Sequence, residues 1–402
     1  MVPDGDSIAI ILTGSATIAE FLFGSAKRLA RAIASREISC VEAVQAHLNR
    51  ITAVNPSLNA VVQLAPQRAL DDAKRADKAL ARQENIGALH GVPITIKDSL
   101  DTEGIVSTGG TLGRKDHIPK QDAPVVARLR EAGAIVLGKT NTPELTFGGE
   151  TDNRIYGRSA NPYNLLRTPG GSSGGAAAIV AAGGAALDIG SDTGGSIREP
   201  AHFCGITGIK PTHGRTPRTG HIVPHAMGAM DAFTQLGPMA RYVEDLALSL
   251  PIICGVDWVD PSIVPMPMGN ARDVDLKGLR LACYVDNGVT TPGDDIARTL
   301  NQTIAMLRGD GLCLVEDKPP ALSRAHDVLL RARQADGGAI ARRLLKRAGT
   351  TQPGPEMAYT LDGPKALGGQ SYSAVLEEVD RIRSEMLSFM ESYDAILCPA
   401  SR

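Results

Sequence analysis

The sequence predicts an α/β protein in which short strands alternate with helices around a layered sheet. From Gly87 onward, apolar runs bounded by glycine and proline are typical of strands, and they read GVPITIKD, GAIVLGKTN and AALDIGSD. Two stretches with helical periodicity, APVVARLREAG and AAAIVAAGG, separate these runs. Strands that alternate with helices favour a layered sheet. Aromatic residues make up only 3% of the chain beside 43 glycines, which favours close helix–sheet packing through small side chains.

Residues 25–84 have the pattern of amphipathic helices. The segments AKRLARAIASREISCVEAVQAHLNRI and PQRALDDAKRADKALARQ repeat apolar residues at spacings of three and four, with charges on the other faces. The stretch NPSLNA between them predicts a turn or a helix cap. Residues 1–24 do not join this pattern, and we expect them to form an N-terminal extension.

The last third of the chain continues the α/β pattern. Strands are predicted at LRLACYVD, at GLCLVED and at the final apolar run DAILCP. The arginine-rich segment 331–349 is interpreted as a helix broken at Gly337 and Gly338, whose charges form a solvated face.

Composition bounds the partners that the chain can have. The 42 basic and 44 acidic residues give a formal net charge of −2, so neither a nucleic acid nor an anionic membrane is expected as a partner. No run approaches the length of a membrane span, and the acidic start followed by a short apolar run does not resemble a secretory signal. We therefore expect a cytoplasmic location. The scattered cysteines predict free or buried thiols rather than disulfides or a metal site: Cys40, Cys204, Cys254, Cys283, Cys313 and Cys398.

Two stretches place serine among glycines, and the first is GGSSGG at 170–175. It matches the G-x-S-x-G pattern of the nucleophile elbow, which requires a buried strand directly before the serine. The preceding residues NLLRTP do not fit such a strand, because Pro169 supplies no hydrogen-bond donor. A glycine-rich anion loop is a second interpretation, but the lysine and threonine of a P-loop are missing.

The second stretch, SDTGGSIREP at 191–200, follows a predicted strand. A glycine turn after that strand would place Ser196 at the start of a short helix. The main-chain N–H groups of Thr193, Gly194, Gly195 and Ser196 could then converge on one point and stabilise an oxyanion. By itself, however, the pattern also fits an ordinary glycine turn.

A lysine supplies the third element. Lys97 ends the apolar strand of GVPITIKDS, where burial would lower its pKa and make a neutral amine available as a base. Together with GGSSGG and DTGGSIR, this lysine resembles the amidase signature family, in which the spacing of the two serines is fixed. Ser172 and Ser196 lie 24 positions apart, as that pattern requires. Further blocks in the family's order are KTNTPELTFGGETDN, SANPYN, FCGITGIKPTHGR and LGPMARYVEDL.

The resemblance implies a Ser–Ser–Lys triad. Ser196 is the expected nucleophile, Ser172 the bridging serine and Lys97 the terminal base, with protons relayed through the second hydroxyl. Ser173 is expected beside the relay as a structural residue. Asp192 and Arg198 match family positions that brace the catalytic turn.

The resemblance also implies a fold. We expect a central mixed β-sheet flanked by helices on both faces, in a single large domain over residues 25–402 with the catalytic core at about 87–250. Family members usually continue beyond the strand that DAILCP resembles, so the domain is expected to be shortened at its C-terminus.

The eight histidines are the alternative bases. His221 and His225 are four residues apart, but Pro224 between them disfavours a helical metal pair. His202 follows the expected nucleophile closely and could pack behind it. We expect structural roles for all of them, and neither a metal nor another cofactor is needed.

The implied function is hydrolysis of a carboxylic amide, or of a carbamate or urethane, through an acyl-enzyme. The apolar character of 221–233 and 357–361 favours an apolar acyl or aryl substrate. One alternative is the A subunit of a glutamyl-tRNA amidotransferase, although the segment RRLLKRAGTTQPGPEMAYTLDGPKALGG departs from the pattern of that protein. A non-catalytic binding protein with the same fold is another, and a homodimer is an open expectation.

Overall fold

The computed structural model describes residues 18–226, 228–363 and 365–401. This part of the chain folds into helices and strands that alternate as predicted. The α-helices are α1 Ile18–Phe23, α2 Ala26–Ala34, α3 Cys40–Leu58, α4 Pro66–Ala81, α5 Pro124–Glu131, α6 Gly174–Ala181, α7 Arg198–Phe203, α8 Val243–Ile253, α9 Asp294–Gly309, α10 Leu322–Gln334, α11 Ala339–Ala348, α12 Pro355–Leu361 and α13 Gly369–Met390. The strands are β1 Val61–Leu64, β2 Pro93–Lys97, β3 Ile135–Thr140, β4 Leu187–Asp192, β5 Thr207–Gly208, β6 Gln235–Ala240, β7 Arg280–Cys283, β8 Cys313–Glu316 and β9 Ala395–Leu397.

The described residues form two compact units. The first comprises the described part of residues 1–267 together with 341–359, and the second comprises the described part of 268–340 and 360–402. The first unit is built on a six-stranded sheet in the order β1-β3-β2-β4-β6-β5. Strand β2 runs parallel to both β3 and β4, whereas β1, β5 and β6 pair in antiparallel fashion. The predicted mixed α/β sheet is confirmed.

Helices cover both faces of this sheet. On β3, Ile135 and Leu137 belong to a core with residues of α2, α3, α4 and α6, whereas Val136 belongs to a second core with residues of α5 and α8. This alternation follows from the two-residue period of a strand. Since β2, β3 and β4 are parallel, their carboxyl ends meet at one edge of the sheet, and this edge positions the candidate site.

The second unit contains a parallel three-stranded sheet in the order β8-β7-β9. Leu281 of β7 and Leu314 of β8 pack with Leu300 and Ile304 of α9 in a separate small core. The predicted break in the arginine-rich segment is confirmed, because α10 ends at Gln334 and α11 begins at Ala339.

Three local features differ from the predicted pattern. Helix α3 continues through Pro56 to Leu58, and Asn59 caps it in the left-handed region, so the predicted cap in NPSLNA is confirmed while most of this stretch is helix. The strand β1 that follows was not predicted. Strand β6 was also missed, because Pro238 and a glycine in QLGPMA are typical of a loop, yet this strand pairs with both β4 and β5.

The predicted N-terminal extension lies partly outside the described residues. Its end, from Ile18 to Phe23, forms α1, where Phe21 and Leu22 are buried. In the described ranges, no helix is both long and apolar enough to cross a membrane.

Candidate active site

Lys97 is the last residue of β2 and is completely buried. The strand lies between β3 and β4, so the ammonium or amine group cannot reach solvent. Its Nζ lies 2.6 Å from Ser172 Oγ, 2.9 Å from Ser173 Oγ and 3.0 Å from Ser191 Oγ. Three hydroxyls therefore surround the lysine nitrogen.

Burial changes the protonation of this lysine. It lowers the pKa of Lys97 from 10.5 to about 7, although the negative charges of Asp188 and Asp192 act in the opposite direction. A substantial fraction of Lys97 is therefore a neutral amine near neutral pH. The amine can accept a proton without another base beside it.

Ser172 and Ser173 lie in the turn directly before α6, and both are buried. The turn is not the end of a strand, in agreement with the rejection of the nucleophile elbow. Close packing explains the glycines that follow. A Cβ at position 175 would collide with the main chain of Ala60 and Asn141, so only glycine lets α6 begin here.

Asp192 organises the turn that carries Ser196. Its Oδ1 accepts the N–H of Gly195 at 2.8 Å, and its Oδ2 accepts that of Ile197 at 3.1 Å. The guanidinium of Arg198 forms a bidentate pair with the same carboxylate, at 2.9 Å to each oxygen. Burial would raise the pKa of Asp192, but the hydrogen bonds and charge of Arg198 outweigh it and hold this pKa below its ordinary value.

Ser196 lies in this turn and is partly exposed. Helix α7 begins two residues later, at Arg198, so Ser196 precedes the helix rather than starting it as predicted. The Ser196 carbonyl accepts the N–H of Ser173 at 3.1 Å, which joins the two serine turns. Within the described ranges, no hydrogen bond joins the hydroxyls of Ser196 and Ser172. The Ser196 hydroxyl forms no other hydrogen bond in that part of the chain either.

The expected oxyanion donors need one correction. The N–H of Gly195 donates to Asp192, so in this structure it is already used in bracing the turn. The N–H groups of Thr193, Gly194 and Ser196 donate to no other group in the part of the chain that the structure describes. The Thr193 hydroxyl lies 2.9 Å from that of Thr234, which ties the turn to the start of β6.

Comparison with known proteins identifies the family. The model of the Amidase family matches residues 42–402. The chain belongs to the amidase family. Amide hydrolases are among its relatives in sequence, and its fold matches that of solved amide hydrolases as well.

Three proteins show what this member of the family is similar to. The indoleacetamide hydrolase of Bradyrhizobium diazoefficiens is 48% identical over 74% of this chain and 57% of its own length. The A subunit of the glutamyl-tRNA(Gln) amidotransferase of Carboxydothermus hydrogenoformans is 42% identical over 70% of this chain and 59% of its own length. The chain thus spans under two thirds of these curated relatives. A solved fatty acid amide hydrolase superposes with a TM-score of 0.86 and 28% identity, covering 96% of this chain and 71% of the other.

Two of the histidines that the sequence singled out can be placed relative to the site. The His221 ring Nδ1 lies 2.8 Å from the Val223 carbonyl, and burial lowers the pKa of His221 to about 3. His202 is exposed, so it does not pack behind Ser196. Among the residues that the structure describes, no group of three or more histidine, cysteine or acidic side chains is arranged to hold a metal ion.

Sequence reasoning missed three polar groups at this edge of the sheet. Ser191 was quoted in SDTGGSIREP without a role, yet it is the third hydroxyl on Lys97. Asp188 is buried on β4 and accepts hydrogen bonds from Thr95 at 2.6 Å and Thr140 at 3.0 Å. Lys139 is a second buried lysine, on β3. For Asp188 and Lys139, the available signal was a charged residue inside an apolar strand pattern.

Proposed function

We propose that this chain hydrolyses a carboxylic amide through an acyl-enzyme on Ser196. The observation that carries the proposal is the 2.6 Å contact between the fully buried Lys97 Nζ and Ser172 Oγ, beside the turn that holds Ser196. A serine hydroxyl needs a base to become a nucleophile, and a lysine with a pKa of about 7 can serve as one.

The proton relay has two transfers. As the Ser196 oxygen attacks the carbonyl carbon of the substrate, its proton passes to Ser172 Oγ, and the Ser172 proton passes to the lone pair of Lys97. A C–O bond forms, and the carbonyl π-electrons move onto the oxygen. When the tetrahedral intermediate collapses, the C–N bond breaks and the proton returns through Ser172 to the leaving amine. Water then repeats the sequence on the acyl-enzyme and releases the acid.

The oxyanion requires hydrogen-bond donors. We assign this role to the N–H groups of Thr193, Gly194 and Ser196, which the Asp192–Arg198 brace holds in one rigid turn. Such preorganised donors contribute a large part of catalysis in acyl transfer, because no reorganisation is needed as charge develops.

The substrate class is inferred from the sequence and from the relatives. An apolar acyl or aryl amide is supported by the apolar character of residues 221–233 and by the names of the indoleacetamide and fatty acid amide hydrolases that the chain resembles. A carbamate or urethane has the same carbonyl geometry and is included in the proposal.

A second candidate function is that of the A subunit of an amidotransferase, which the relative from Carboxydothermus hydrogenoformans supports. The two candidates differ in their amide donor. A glutamine-specific activity that appears only with added partner proteins would favour the second, whereas hydrolysis of an aryl amide by the chain alone favours the first.

The test is labelling with a fluorophosphonate followed by peptide mapping. We expect the label on Ser196, and we expect Ser196→Ala to lose both labelling and amide hydrolysis. Ser172→Ala should lose less, since water can replace a relay hydroxyl. Ser99→Ala is the matched control, because the hydroxyl of this buried serine has no hydrogen-bond partner among the described residues.

Two outcomes would contradict the proposal. A label on Ser172 or Ser173 that spares Ser196 would overturn the assignment of roles. A chain that takes no label and hydrolyses no amide would be a non-catalytic member of the family.

A further inference from the structure

Ser191 lies at the end of β4, and its side chain points to the lysine of the proposed relay. It is almost completely buried, and its Oγ lies 3.0 Å from Lys97 Nζ. Neither the family match nor the resemblance in sequence assigns it a role. Its neighbour Gly190 is required by packing, because a Cβ there would lie 2.8 Å from Ser173 Oγ. The strand end is therefore shaped to bring Ser173 and Ser191 to the same nitrogen.

The donors and acceptors around Lys97 can be counted. A neutral amine has two N–H donors and one lone pair, and three hydroxyls surround it. The Ser173 hydroxyl has a second contact, to the Ser191 carbonyl at 3.4 Å, which gives its proton an acceptor and leaves its oxygen to accept from Lys97. For Ser172 and Ser191, the only side-chain hydrogen bond in the described residues is the one to Lys97. The contact of Ser172 is the shorter, at 2.6 Å against 3.0 Å, which favours Ser172 as the hydroxyl that donates to the lone pair.

We propose that Ser191 is a positioning residue of the relay: Ser191 and Ser173 accept the two N–H groups of neutral Lys97, so that its lone pair faces Ser172. This inference rests on the proposed function. Ser191 does not touch the substrate in this scheme. It acts by fixing the rotation of the amine group, so that the proton of Ser172 meets a lone pair rather than an N–H.

The charges around Lys97 are compatible with this arrangement. The acidic groups that act on Lys97 are Asp188 and Asp192, both on β4, and the buried His221 lies on the segment packed beside the Lys97 turn. Burial keeps the pKa of Lys97 near 7. A hydrogen bond to an ammonium is stronger than one to an amine, so removal of Ser191 should lower the Lys97 pKa further.

The experiment compares Ser191→Ala, Ser191→Thr and the control Ser99→Ala in two measurements. The first is the titration of Lys97 by NMR of ¹³Cε-labelled lysine, with the resonance assigned from its loss in Lys97→Met. The second is kcat and KM on a neutral aryl amide across pH. Ser191→Ala should move the Lys97 midpoint about one pH unit lower. It should also lower kcat on the alkaline plateau about tenfold with little change in KM.

The combination of results is diagnostic. A purely structural effect would not lower kcat while making more of the lysine neutral, and Ser191→Thr, which keeps the hydroxyl, should restore both values. An unchanged Lys97 titration in Ser191→Ala, or the same change in Ser99→Ala, would overturn the inference. The NMR titration needs no activity. A chain that hydrolyses nothing but shows the shifted midpoint would therefore refute the proposed function and leave the contact of Ser191 with Lys97 supported.

Discussion

Two buried lysines on neighbouring strands of the central sheet have different surroundings. Lys97 ends β2, and Lys139 lies on β3, paired in parallel register with Ile96. Both side chains are fully buried, and burial lowers both pKa values, to about 7 for Lys97 and to about 8 for Lys139. Burial alone therefore does not distinguish them. The difference lies in the groups that each nitrogen contacts.

Lys139 contacts one carbonyl and two hydroxyls, and the hydroxyls donate their protons to other groups, so all three accept hydrogen bonds from the lysine. Its Nζ donates to the Leu100 carbonyl, to Thr102 Oγ1 at 2.8 Å and to Ser107 Oγ at 3.1 Å. The hydroxyl protons of Thr102 and Ser107 are directed to the carbonyls of Leu100 and Ile105. All three oxygens thus favour an ammonium, which fixes the loop after Lys97.

Around Lys97, by contrast, at least one hydroxyl can change from accepting a hydrogen bond to donating one. Ser172 has no other hydrogen-bond acceptor within the described residues, so its proton can pass to the amine. Where its neighbours only accept hydrogen bonds, a buried lysine stays an ammonium and holds the surrounding chain in place, as a structural lysine. Where a neighbouring hydroxyl can donate its proton, a buried lysine can act as a base. The predictions below test this difference.

The largest expected effect is on activity. Lys97→Met should lower kcat/KM for an aryl amide about 1,000-fold, because it removes the terminal proton acceptor. Lys139→Met should change the rate per folded molecule little, since Lys139 contacts none of the three serines. The measurement is kcat/KM normalised to the folded fraction from circular dichroism. An equal loss of kcat/KM per folded molecule in both variants would contradict the distinction between Lys97 as a base and Lys139 as a structural lysine.

The next effect is on stability, where the two variants should differ in sign. Lys139→Met leaves Asp98 buried without the positive charge of Lys139, which lowers the pKa of Asp98 against the effect of burial, and it removes three hydrogen bonds, so it should lower the free energy of unfolding by about 3 kcal/mol. Lys97→Met also removes hydrogen bonds to three hydroxyls, but it removes an amine that burial holds far from its ordinary pKa. We expect the second effect to exceed the first, so this variant should raise that free energy at pH 7 by about 2 kcal/mol.

The gain in Lys97→Met should depend on pH. Between the folded pKa of about 7 and the ordinary value of 10.5, the unfolded chain binds a proton that the folded chain does not. Wild-type stability contributed by this group therefore rises with pH over that window, and the advantage of Lys97→Met should shrink toward pH 10. Urea unfolding at pH 7 and pH 9.5 measures this. A gap that widens with pH would contradict the lowered pKa of Lys97.

Much of this arrangement could be predicted from the sequence, because the strands around the site are short apolar runs with clear borders. Strands β2, β3 and β4 and helices α5 and α6 lie where the pattern predicted them. Strand β6 was not predictable in the same way, because Pro238 and its neighbouring glycine resemble a loop and are tolerated only through pairing with β4 and β5. That pairing is a tertiary effect and leaves no local periodicity.

For the candidate site as well, only part of the arrangement could be predicted from the sequence. The sequence places Lys97, Ser172 and Ser196 in motifs, and the fold brings Lys97 against Ser172. It does not reveal that the Gly195 N–H is used by Asp192, because a strand-end carboxylate can brace a turn or face solvent with the same spacing. Nor does it reveal Ser191, whose contact with Lys97 depends on the register between β2 and β4. Motifs identify residue types, whereas the directions of the hydrogen bonds between them depend on the folded structure.

The smallest expected effect is a change in the pH dependence of the rate, and it assigns the titrating group. Lys97 must be neutral to accept a proton, and its neutral fraction rises with pH. With a pKa of about 7, kcat/KM for a neutral anilide should fall about tenfold per pH unit below that value and reach a plateau above about pH 8. A histidine base is the rival, but His221, whose pKa burial lowers to about 3, would give no limb in this range. Lys139→Arg is the matched control, because a guanidinium does not titrate here. It should leave the profile unchanged if Lys97 is the base. A limb that disappears in Lys139→Arg, or a rate that is flat from pH 5 to pH 9, would assign the chemistry to another group and end the contrast between the two lysines.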